Sequence, residues 1–288
     1  MNTLKTLGGA VLAIVIKLAS DIAASLLASG LVLLNAPEWI CMAAYSLIYI
    51  AAALLLVKLV FGKMFKFRLE ELGLSKFSLK PVYVVLAFLL PAAVCGIYLL
   101  FVKGSYVPSE MDAGKKASAL VFGVFYTAIA AAVVEEALFR GVLMNLLKKR
   151  WNTAVGVLVP SVLFGAVHIM EMENPNVLDC VQVVAAGALA GILFSLIAIK
   201  TGSVWNSMIV HSIWNLVIAG NILSIGAEPS ESALVTYVLD SKSYAVTGGA
   251  FGIEASVIAV IAYVLALLPV LLCCRTQTTG DSAVLQNS

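Results

Sequence analysis

Apolar residues run along this chain in long, nearly uninterrupted blocks. They show neither the alternation of a half-buried strand nor the single stripe of a surface helix. Eight blocks are long enough to cross a bilayer, near residues 8–34, 39–61, 81–102, 118–147, 153–171, 179–199, 202–225 and 250–273. The pattern predicts an all-α fold, a polytopic transmembrane helical bundle of about eight spans. Residues 1–117 hold spans one to three with a basic loop at 62–80, residues 118–225 hold spans four to seven, and residues 226–288 hold the last span and a short polar tail. The first block continues past Lys17 and Asp21, further than the apolar core of a signal peptide, and reads as a retained span.

Composition sharpens this. With 62% hydrophobic and 12% charged residues in 288, an ordinary soluble domain is excluded. No Lys/Arg-rich arm is present for nucleic acid. The five cysteines, Cys41, Cys95, Cys180, Cys273 and Cys274, form no CxxC pair and read as small buried hydrophobes. Lipidation at Cys273-Cys274 is a weaker alternative.

The net charge of +2 matters less than where the charges fall. Lys63, Lys66, Arg68, Lys76 and Lys80 follow span two, Lys148, Lys149 and Arg150 follow span four, Lys200 follows span six and Arg275 follows span eight. The opposite loops carry Glu38, then Glu171 and Glu173, then Glu228, Glu231 and Asp240. One opposite loop is mixed, with Lys103, Lys115 and Lys116 beside Glu110 and Asp112. Because cytoplasmic loops accumulate Lys and Arg, both termini are expected in the cytoplasm. The basic stretch 63–80 reads either as an amphipathic surface segment or as a plain connector. Lys17 and Asp21, four apart in span one, are expected to pair within their helix.

Span four carries the first candidate chemistry, in Val134-Glu135-Glu136-Ala137-Leu138-Phe139-Arg140. One charged side chain at the bilayer centre costs at least about 2.5–3.5 kcal/mol, so three must pair, face a polar cavity or react. Neighbours on a helix point about 100° apart, which separates the two carboxylates. Glu136 and Arg140 are i and i+4 in the favoured order for an ion pair. Glu135 is left needing a proton, a water or a metal. A purely structural network is the plain alternative.

Both histidines of the chain lie inside apolar spans. Phe164, one turn before His168, is placed to wall a site, and Glu171, one turn after, either orients the imidazole or sits at the lipid–water boundary. His211 and Asn215 share a helix face and can present two donors to one oxyanion, or form a helix–helix hydrogen-bonded pair. At 1.5 Å per residue, Glu135, His168 and His211 fall within about 10 Å of one another in depth. Two mechanisms fit. Glu135, His168 and His211 bind Zn²⁺ and leave one position for water; or, without metal, Glu135 and His168 activate water while His211 and Asn215 hold the oxyanion. The HExxH, GxSxG and GxGD signatures of other proteases are absent.

Glu135 to Arg140 fits EExxxR, Phe164 to His168 fits FxxxH, and His211 to Asn215 fits HxxxN. In this order, over roughly residues 118 to 225, the set resembles the CPBP (Abi) intramembrane metalloproteases. That family includes the eukaryotic type II CAAX prenyl endopeptidases and bacterial bacteriocin-immunity relatives. The resemblance implies an eight-span helical fold and hydrolysis of a peptide bond in a membrane-associated peptide or protein. By it, Glu135, His168, His211 and Asn215 are catalytic, with Glu136 and Arg140 supporting, and zinc held by Glu135, His168 and His211 stays one of two options. The partners expected are a peptide or membrane-protein substrate and the lipid bilayer, in a multi-pass protein of a bacterial cell membrane. The rival readings are a non-catalytic immunity or binding protein of the same fold, and a proton-coupled transporter using Glu135 and the histidines as a relay.

Overall fold

Apolar chain in lipid must satisfy its own backbone polar groups, and a helix does so within one segment. The computed structural model describes residues 2–75 and 77–272, so Lys76, Cys273, Cys274, Arg275 and the polar tail lie outside the described residues. Helix α1 (Thr3–Leu33) starts on the Asn2 side chain, and α2 (Glu38–Lys63) returns beside it. Helix α3 (Pro81–Phe101) has proline in its first turn, where no intrahelical N–H is lost. Helix α4 (Ala113–Arg150) is capped by Asp112 and runs 38 residues. Helix α5 (Thr153–Val167) is capped by Asn152 and ends in a 3₁₀ turn, His168–Glu171. A capping box of Asn176 and Asp179 opens α6 (Val177–Thr201). Helix α7 (Trp205–Trp214) continues as a π-helical turn, Asn215–Ala219. A short α8 (Tyr244–Thr247) precedes α9 (Val257–Leu272).

The protein is mostly helical, 74%. Among the described residues, six helices are long and apolar enough to cross a membrane: α1 to α4, Thr153–Glu171 and α6. The seventh and eighth expected spans are shorter than their apolar runs. Asn221, at φ 60°, ends the first of them. Gly248, Gly249 and Gly252, all at positive φ, hold the chain in turns until the Ser256 hydroxyl caps α9.

The all-α expectation also needs a correction. Strands β1 (Gly104–Pro108), β2 (Leu223–Gly226) and β3 (Val235–Leu239) form a three-stranded sheet in the order β1-β3-β2. The β1–β3 pair is antiparallel with Gly104 opposite Leu239, and the β2–β3 pair is parallel with Leu223 opposite Val235. Val235-Thr236-Tyr237-Val238 has the β-branched and aromatic character of a strand, yet so short a run is hidden among longer apolar blocks.

One face of the bundle is basic. Arg150 donates to the Thr3 hydroxyl at 2.9 and 3.1 Å, which ties the start of α1 to the end of α4. Lys149 pairs with Glu71 in the connector after α2 and holds that carboxyl below the usual range. The described residues of the connector 64–80 fold into turns that bury Phe67 and Leu72 in the core. The sheet and the Glu228–Lys242 pair lie at the opposite face, where α3 and α7 end. Lys17 and Asp21 do not pair: Tyr45 donates to Asp21 instead.

Close helix packing comes from small residues, among them those between α5 and α6. A Cβ on Gly187 would stand 2.5 Å from the Gly165 Cα, which only displacement of a helix could relieve. Gly187→Leu is expected to lower stability by about 1–3 kcal/mol through overpacking. Thermal unfolding in detergent checks this, with Ala185→Leu, at an exposed position, as the comparison.

Candidate active site

The α4 segment Ala132–Glu136 lies between two π-helical stretches, Phe122–Ala131 and Ala137–Leu143. Such widened turns often mark functional positions. Arg140 Nη1 donates to Glu136 Oε1 at 2.8 Å, and both side chains are sealed from solvent. The guanidinium sits in a nest of rings, 4.4 Å from the Phe164 centroid, 5.2 Å from Phe194 and 5.8 Å from Phe139. An ion pair surrounded by aromatic faces is how this chain keeps a cation at depth.

The same Glu136 oxygen lies 3.2 Å from His211 Nδ1. A carboxylate can only accept, so Nδ1 carries the proton of this bond. The ring's other nitrogen, Nε2, stands 3.9 Å from Glu135 Oε2. Phe194 stacks on the imidazole at 4.8 Å and 18°, fixing its plane. Glu135 makes no ion pair with Arg140 and remains the second, separate carboxylate, as the i, i+4 geometry predicts.

At the end of α5, His168 Nδ1 donates to the Phe164 carbonyl at 2.6 Å. This bond, not Glu171, sets the ring, and it leaves Nε2 with a lone pair. The Phe164 and Phe251 rings meet it edge-on at 4.7 and 5.6 Å. Asn215 Nδ2 donates to the Thr127 carbonyl at 2.9 Å, which ties α7 to α4 and spends one of its two amide protons.

Two adjoining cavities join these groups. The larger, with an empty volume of about 920 Å³, has Glu135, His168, Asn215, Tyr49, Lys17 and Glu254 in its wall. The smaller, about 400 Å³, has His168, His211, Asn215, Ala186, Gly187 and Ala190 in its wall. His168, Asn215, Phe251 and Glu254 belong to both. The structure therefore places Glu135 on the larger cavity and His211 on the smaller, 3.9 Å apart, with His168 and Asn215 on both, and keeps Glu136 and Arg140 off both.

Among the described residues, no three of His, Cys, Asp and Glu stand close enough to hold a metal ion. Glu135, His168 and His211 as placed do not form a three-ligand set. His211 Nε2 faces Glu135, and His168 lines a cavity with each of them.

Glu254 is a site residue that the motifs do not reveal. It stands in the turn before α9 and accepts from the Trp214 indole at 2.9 Å, next to Asn215. A lone carboxylate at the head of the last apolar run was the available signal. Tyr49, Tyr126 and Lys17 also reach the chamber, and only the fold brings them there.

Residues 117–217 match the family described as type II CAAX prenyl endopeptidase, Rce1-like. The match covers all three motifs, so the resemblance to the CPBP/CAAX proteases holds over this stretch. Together with the membrane-length helices, it makes the chain an integral membrane protein with a domain of a protease family. No curated protein and no solved structure matches the chain.

Proposed function

We propose that this protein is an intramembrane endopeptidase that hydrolyses a peptide bond in a membrane-associated peptide or protein. The observation that carries the reading is the gathering of Glu135, His168, His211 and Asn215 on two adjoining cavities that share His168 and Asn215. Such groups persist in lipid where they share a function. The bundle has eight spans in this reading, with α7 and α9 as the two short ones, and both termini are cytoplasmic.

Glu135 takes a proton from a water that His168 Nε2 holds in place. The water oxygen attacks the scissile carbonyl carbon, and charge moves to the carbonyl oxygen. The second amide proton of Asn215 and Nε2–H of His211 hold that oxyanion. With Nδ1–H already given to Glu136, a donor at Nε2 requires the doubly protonated ring, and Glu135 and Glu136 bracket its charge. When the intermediate collapses, the C–N bond breaks and the proton on Glu135 passes to the leaving amine. Arg140 pairs with Glu136 and is a positioning residue.

The test is hydrolysis of membrane-anchored peptides, with and without a prenyl group, by the purified parent and by Glu135→Gln and His168→Ala variants. This mechanism runs without metal. Activity is therefore expected to survive a chelator and to persist in protein shown to be metal-free by elemental analysis. Loss of activity with rescue by zinc would assign the metal route instead.

A further inference from the structure

The chamber is not symmetrically placed between the two faces of the bundle. In α4 its wall runs from Phe122 to Glu135, the part nearer Asp112, and takes nothing from the stretch that leads to Lys148 and Arg150. In α5 it takes His168 and Glu171, at the end away from Thr153. In α7 it takes Asn215 and Ala219, at the end away from Trp205. Phe251 and Glu254 come from the segment between the sheet and α9. At 1.5 Å per residue, the floor at Glu135 and His168 lies about 22 Å above the basic ends of α4 and α5, and Asn215 lies about 15 Å above that of α7.

On the basic face a separate cavity of about 500 Å³ reaches Arg140 but none of the residues of the chamber. Glu136, Arg140, Phe139, Phe164, Phe194 and Leu138 are all buried. The loops at this basic end carry Lys63, Arg68, Lys80, Lys148, Lys149, Arg150 and Lys200 against Glu70 and Glu71. Loops at the open end carry Glu38, Glu110, Asp112, Glu173, Glu228, Glu231 and Asp240 with fewer lysines. Lys and Arg in short loops mark the cytoplasmic side.

We propose that the chamber opens on the face away from the cytoplasm, so that the substrate is a peptide segment presented in the outer half of the bilayer or at its outer surface. The proposal rests on the endopeptidase reading for the word substrate, and on the charge asymmetry for the direction of access.

The experiment is labelling by a membrane-impermeant maleimide in intact bacterial cells expressing the full chain, with the five native cysteines replaced by serine. Glu173→Cys and Arg68→Cys report the two faces, and Ala219→Cys reports the chamber. Phe122→Cys, a second chamber position, serves if the Ala219 variant fails to insert. Glu173→Cys and the chamber variant are expected to label in intact cells, with Arg68→Cys labelling at least tenfold more slowly until the membrane is permeabilised. Labelling of Arg68→Cys from outside, or of the chamber variant only after permeabilisation, would overturn the proposal. So would equal labelling of the chamber from both sides. Labelling needs no turnover, so a chain that cleaves nothing retires the endopeptidase reading while the side of access is still measured.

Discussion

Glu135→Gln is expected to fold as the parent does and to lose about 10²- to 10⁴-fold in kcat, the usual contribution of a general base. The amide has the shape of the carboxylate and can still meet His211 Nε2, but it cannot take a proton from water. His168→Ala is expected to fall within the same range, because it removes the lone pair that places the same water. The double variant is expected to be little worse than either single one, since groups acting as a unit are not additive. Initial rates with a saturating membrane-anchored peptide decide this. Parental turnover by Glu135→Gln would end the general-base assignment, and independent, multiplying losses would end the shared-water geometry.

Arg140→Met is expected to destabilise the protein by about 3–5 kcal/mol, because it leaves the Glu136 carboxylate buried without its counter-charge. It also removes the cation from between Phe164, Phe194 and Phe139. Glu136→Gln combined with Arg140→Met removes both charges together and is expected to recover most of that loss, as apolar or neutral replacements of buried pairs do. Thermal and denaturant unfolding of the four proteins in one detergent make the cycle. If Arg140→Met alone unfolds at the parental midpoint, the pair does not stabilise the fold.

Much of this arrangement is legible in the order of residues. The i, i+4 spacing separates Glu136 and Arg140 from Glu135, and the structure keeps that division at 2.8 Å for the pair. The spacing of His211 and Asn215 puts both on the inner side of α7, where both line the smaller cavity. What was not legible depends on tertiary placement. The His168 ring is set by a backbone carbonyl, which no side-chain pattern encodes. Asp21 is met by Tyr45 from the neighbouring helix, so the local spacing of Lys17 and Asp21 pointed to the wrong partner. The sheet escaped because its strands are four or five residues long and lie beside apolar runs several times longer.

The bond from Trp214 to Glu254 joins the end of α7 to a turn well outside residues 117–217. Lys17 and Tyr49 approach the chamber from the other side, also outside that stretch. In the proposed reading the reacting groups fall in one contiguous third of the protein, while residues from its flanks complete the wall around them. If the endopeptidase reading holds, replacing α1 and α2, or the turn that bears Glu254, is expected to alter which peptides are accepted more than how fast they are cut.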